Sequence, residues 1–174
     1  CIMLYVTDLP ETEYVQFYAN YIKLAGKKDL ISGLTASFKE TLSFFESIPN
    51  DKLEYRYQDG KWTVKDILQH IIDTERIFAY RALRFARQDE TVLPGFEENQ
   101  YAVTAHANKR TKEDLLEEYQ TVRQATICLF KSFSKDMFLQ IGKASGANMS
   151  VRAVGFVTIG HEKHHCQVIK SRYL

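Results

Sequence analysis

The chain has 174 residues, enough for one domain with a sizeable buried core. Its 45% hydrophobic and 26% charged content is that of a soluble globular protein. A formal net charge of +1 without blocks of like charge gives no footing for nucleic acid or a membrane surface, and no apolar run approaches the roughly 20 residues of a bilayer span.

Eleven Phe, ten Tyr and only three Pro favour long helices over breaks. The first eleven residues read as an irregular lead-in, and Asp8, Glu11 and Glu13 interrupt any signal-peptide pattern. Cys1 in first place is read as a start other than the native one, so that absence carries little weight. Three cysteines, Cys1, Cys128 and Cys166, are odd in number and unpatterned, which argues against a disulfide framework and for a reducing cytoplasm. Thr12 to Leu24 reads as a short tyrosine-rich helix stopped by Gly26.

The first long helix follows Asp29, with Ile31, Leu34, Phe38, Leu42, Phe45 and Ile48 at helical spacing before Pro49-Asn50-Asp51. Residues 52–61 read as a loop. The second long helix opens at Thr63 and Asp66, a capping box, with Trp62 able to staple onto Ile67, and runs to about Arg87. His70 falls in its second turn; Asp73, nearly one turn on, is a candidate to orient His70 or another imidazole. Residues 89–110 form a long connection around Pro94-Gly95-Phe96, with His106 in it as an exposed loop residue. Thr111 and Asp114 read as a second capping box, opening the third long helix, Leu115 to Phe133. Residues 134–149 form another connection, and Ser150 caps the fourth helix. No strand alternation, internal repeat or linker interrupts this pattern. The expectation is an all-α four-helix bundle spanning 1–174 as a single domain, with long connections at 88–110 and 134–149 that allow crossovers.

The fourth helix carries Gly160-His161-Glu162-Lys163-His164-His165, three of the chain's five histidines. A helix turns about 100° per residue. His161 and His165 therefore share one side, on the row Val154, Thr158, His161, His165, Val168, which suits two ligands of one metal ion. Buried imidazoles would otherwise each need a hydrogen-bond partner. His-Glu-x-x-His also fits the zinc-protease pattern, with Glu162 as base, but only nine residues follow His165, and Val168 and Ser171 stand where the extended motif needs Gly and His. A third ligand must come from upstream, from His70 or His106. Glu162 points about 100° away from His161 and reads as a surface or inter-helix residue; His164 reads as a non-ligand and Cys166 as packing. His70 from the second helix with His161 and His165 from the fourth would make a three-imidazole site with open positions, the catalytic rather than the closed structural type.

Gly60-Lys61-Trp62-Thr63, then Leu68-Gln69-His70-Ile71-Ile72-Asp73, Leu93-Pro94-Gly95-Phe96, Ser150-Val151-Arg152-Ala153 and Gly160-His161-Glu162-Lys163-His164-His165 stand in an order that resembles the DinB-like superfamily. The resemblance implies a four-helix bundle of crossed connection order, a divalent metal (zinc or nickel first) on His70, His161 and His165, and a homodimer. It further implies a small-molecule electrophile as substrate, attacked by water or by a low-molecular-weight thiol, as in bacillithiol S-transferases and mycothiol-dependent maleylpyruvate isomerases. Cys166-Gln167-Val168 stands where many members have Gly-Gln, a departure that leaves the thiol open. Two readings follow: a metal-dependent transferase or hydrolase, or a non-catalytic metal- or ligand-binding bundle with a structural, sensing or stress-response role.

Overall fold

The computed structural model describes residues 2–174; Cys1 lies outside them. Four long helices form the body: α2 (Leu30–Ser47), α3 (Val64–Ala86), α5 (Lys112–Lys131) and α7 (Val151–Arg172), with shorter α1 (Ala19–Ala25), α4 (Glu98–Ala105) and α6 (Lys135–Phe138). Each of α3 and α2 packs against both α5 and α7. The consecutive helices α2 and α3 are thus diagonal partners, so the crossing connections are 48–63 and 132–150, while 87–111 joins neighbours. No helix of the described residues is long and apolar enough to cross a membrane.

Side-chain chemistry at the helix starts explains their positions. Asp29, Thr63, Thr111 and Ser150 each accept a backbone amide three residues on, satisfying a donor the first turn leaves free. At Thr63 the box is reciprocal, since the Thr63 amide donates to Asp66 at 2.9 Å. At Thr111 it is only half formed, because the Asp114 carboxylate is taken by Arg110 at 2.6 Å. The lead-in is docked rather than loose: Leu4 and Leu9 are buried, and the Leu30 amide donates to the Leu4 carbonyl.

Two connections hold structure the sequence pattern did not show. Residues 89–110 contain α4, and 134–149 contain α6 and a hairpin, β1 (Ile141–Ala144) with β2 (Ala147–Ser150), paired antiparallel from Ile141–Ser150 to Ala144–Ala147. The strands lack alternation because the hairpin is held from outside: Leu93 exchanges backbone hydrogen bonds with Lys143 and Ser145.

The apolar core falls into two clusters. One gathers Leu30, Leu34, Phe85, Phe130, Phe156 and Val157; the other Phe45, Ile71, Leu115, Tyr119 and Ile169. Between them, at mid-height of the bundle, lies a polar layer. Its centre is Arg123 of α5, 0% exposed. Its Nε and Nη2 donate to Glu75 of α3 at 2.7 and 2.8 Å, and its Nη1 donates to Glu162 of α7 and to Ser37 of α2 at 2.9 and 3.0 Å. One side chain thereby ties all four long helices. The Tyr119 hydroxyl closes the network by donating to Glu162 at 2.7 Å.

Candidate metal centre

The histidines occupy the same layer, towards the side that α1 covers. His70 stands in the second turn of α3, a helix whose start is fixed by the Thr63 box and by Asn108, which donates to Asp66 at 3.0 Å. The Trp62 ring packs on the His70 ring with centroids 4.7 Å apart. His161 and His165 project from α7 one turn apart. At Gly160 the helix lies against α1 so closely that an added Cβ would sit 1.7 Å from the Tyr21 carbonyl oxygen. Only glycine permits that approach, which sets the Tyr21 ring edge-on to His161 at 5.6 Å.

The three rings converge through their Nε2 atoms. His161 Nε2 lies 3.1 Å from His70 Nε2 and 3.1 Å from His165 Nε2, and one nitrogen from each of the three falls within 4.8 Å of the others. An imidazole Nε2 has a single in-plane position, holding either a proton or a lone pair. His161 cannot serve two such neighbours well by hydrogen bonding alone. A metal about 2.0–2.1 Å from two imidazole nitrogens holds them about 2.8–3.4 Å apart for bond angles of about 90–109°. The donor set and its spacing therefore fit one transition-metal ion.

Burial prepares these groups as neutral donors. It pushes His70 down to about 4 and, with the neighbouring imidazoles His70 and His164, His165 down to about 3. His161 is held well below the usual imidazole range by burial and by His165, His70 and His164. On its far nitrogen His70 meets the Thr74 hydroxyl, 3.4 Å from Nδ1.

His106 does not join the trio. It is exposed, caps the end of α4 in a left-handed conformation at φ 52°, and lines a different cavity. Asp73 does not orient His70: its carboxylate accepts from Gln69 Nε2 at 2.9 Å, and Gln69 in turn accepts from Arg110. Of the two readings of Glu162, surface or inter-helix, the structure gives the second: it is a buried member of the Arg123 network. His164 stays at the edge, edge-on to the Tyr21 ring at 5.4 Å. Cys166 is packed, its thiol pushed up to about 12 by burial and Glu162. Arg123 escaped the sequence reading, although it stands on the buried row Tyr119, Arg123, Thr126, Phe130, where an unpaired cation has no place.

His70 and His161 open onto a cavity of about 580 Å³ that reaches Tyr21, Arg81 and Glu98. His164 and His165 face a second, of about 470 Å³, beside Trp62.

The sequence profile of the DinB superfamily matches residues 34–169. The chain belongs to the DinB superfamily. A Geobacillus thermodenitrificans protein named "Putative metal-dependent hydrolase" is 28% identical over 162 residues, covering 90% of this DinB chain and 86% of its own length. An Oceanobacillus iheyensis protein of the same naming is 23% identical over 127 residues, 71% and 72% of the two chains. Among solved structures, YfiT from Bacillus subtilis, described as a probable metal-dependent hydrolase with an unusual four-helix bundle topology, superposes with a TM-score of 0.66 at 15% identity, over 88% of this chain and 84% of that one. A mycothiol-dependent maleylpyruvate isomerase superposes at 0.63 and 12% identity, over 98% of this chain and 63% of its own. At such identities the two structures speak for the DinB bundle alone.

Proposed function

We propose that this DinB protein is a metal-dependent enzyme acting on a small molecule, with His70, His161 and His165 as the ligands of one divalent transition metal, zinc or nickel. The observation that carries the reading is the convergence of three imidazoles, His70 and His161 buried and His165 half-buried, on one point between two open cavities. A plugged site would have favoured a structural role instead.

A divalent ion held there would supply Lewis-acid activation of a nucleophile, water or a low-molecular-weight thiol, towards an electrophilic substrate. The protein's own groups do the rest. Thr74 and Trp62 fix the plane of His70, and Tyr21 and Phe78 hold His161 from two sides. The same aromatic rings shield the imidazole nitrogens from bulk water, which keeps them unprotonated at neutral pH. The relatives' naming supports the hydrolytic branch, and the isomerase neighbour's mycothiol supports the thiol branch through fold alone. A homodimer belongs to the same proposal.

The test is turnover of a panel of small esters, amides and alkylating electrophiles by zinc- or nickel-loaded protein, with and without added cysteine-based thiol. Wild type should turn over at least one compound, and His161→Ala should lose that activity. A thiol requirement selects the transferase branch; turnover without thiol selects hydrolysis. Equal rates in wild type and His161→Ala across the panel would remove the proposal.

A further inference from the structure

The cavity that reaches His70 and His161 runs along one face of α3, where His70, Thr74, Phe78 and Arg81 follow at helical spacing. Arg81 is 5% exposed. Its Nη2 donates to the Pro94 carbonyl at 3.2 Å and the Ser145 hydroxyl at 2.8 Å, and the Tyr18 phenol lies beside it. All of these partners are neutral. Among the described residues no carboxylate comes within 4.0 Å of the guanidinium. Its other two nitrogens meet no backbone or carboxylate acceptor, yet neither is sealed from solvent, so they keep access to the cavity.

A buried cation without a counter-charge is costly, and this fold pairs its other enclosed arginines. Arg123 has Glu75 and Glu162, and Arg152 has Glu13; even the more open Arg84, one turn from Arg81, has Asp89. Arg81 is instead held by shape. Ser145 sits at φ 52° in the hairpin turn, and Gly95 passes so near that a Cβ there would lie 3.2 Å from the Ser145 hydroxyl. Glu97 and Glu98 also line the cavity, neither in an ion pair with Arg81, and the charge of Glu98 bears on Tyr21.

We propose that Arg81 receives the oxyanion end, carboxylate or phosphate, of an elongated small molecule whose other end reaches the histidines. Eleven residues separate Arg81 from His70, about 16 Å along a helix axis. A ligand spanning both must be long and slender, and the anionic end is then recognised far from the reacting end. This deepens the enzymatic reading and rests on it for the histidine end alone; the oxyanion site stands on Arg81.

The experiment titrates the full chain, metal-depleted and zinc-loaded, with succinate and with inorganic phosphate at constant ionic strength, following the Arg81 Nε–H resonance and the Gly95 and Ser145 amides by NMR. The Arg81 signal is identified by its absence in Arg81→Lys. Saturable shifts with either anion in both metal states are expected, with Arg81→Gln binding about 10- to 100-fold more weakly. Succinate alone would mark a carboxylate end, phosphate alone a phosphorylated one. If Arg81→Gln does not fold, Ser145→Ala, which removes only the hydroxyl that positions the guanidinium, should weaken binding several-fold. No shift with either anion, or binding confined to the zinc-loaded form and unchanged in Arg81→Gln, would overturn the proposal. Anion binding in a protein that takes up no metal would sink the enzyme reading and leave this one standing.

Discussion

Two polar clusters share the middle of α7, and they solve the cost of burial in opposite ways. Around Arg123 every charge is answered. Burial works against the guanidinium, but Glu162 and Glu75 outweigh it and hold its proton far more tightly than usual. Burial and Glu162 likewise keep the Tyr119 hydroxyl protonated. One residue away from Glu162, the histidine trio gathers three nitrogens without an acid between them. The first cluster is complete as protein. The second gathers donors and no counter-charge, the arrangement on which the proposed metal reading rests.

The comparison can be broken from the structural side first. Arg123→Ala leaves two carboxylates buried without their cation and should cost about 3–5 kcal/mol in denaturant unfolding. Replacing Arg123, Glu75 and Glu162 together by apolar or neutral residues of similar size should recover much of that loss. If Arg123→Ala unfolds at the same denaturant concentration as wild type, the network does not hold the bundle.

From the histidine side the lever is pH. Burial lowers His70 from 6.5 to about 4, so as pH falls the unfolded chain takes up the proton first. In the metal-depleted protein the share of stability carried by His70 is therefore full above 6.5 and is lost between 6.5 and about 4, by up to about 3 kcal/mol, and His165, lowered to about 3, extends the loss below that. Thermal melts across that range read it directly, and His70→Asn should flatten the slope. A next, smaller effect tests the packing between α1 and α7. Gly160→Ala drives a methyl into the Tyr21 carbonyl and should cost about 1–3 kcal/mol, with loss of the Tyr21 contact to His161. Thr63→Ala removes the cap that starts α3 and should cost about 1 kcal/mol, read in the same melts. His164→Ala, at the edge of the trio, should leave metal content unchanged.

Much of this was legible in the chain because it is local. Periodicity marked the four long helices, single side chains marked their starts, and i, i+4 spacing placed His161 and His165 on one row. The partner His70 was reachable because it too lies on a helix beside an apolar face. What could not be read depends on distant partners. Asp114 looked like the second half of a capping box, but Arg110 claims its carboxylate. Asp73 stood at the right spacing from His70 and turned instead to Gln69. The hairpin owes its place to Leu93, some fifty residues upstream, rather than to its own alternation. Arg123 and Glu75 are charged residues on apolar rows, a signal that points to burial, although only the fold shows that they answer each other.

The central claim is that His70, His161 and His165 hold one metal ion between α3 and α7. Elemental mass spectrometry on purified wild type beside His70→Ala and His161→Ala tests it most directly. About one zinc or nickel ion per wild-type chain, lost in both variants while circular dichroism shows the bundle intact, is the predicted result. A wild-type protein that takes up neither metal on reloading, or variants that keep it, would contradict the account.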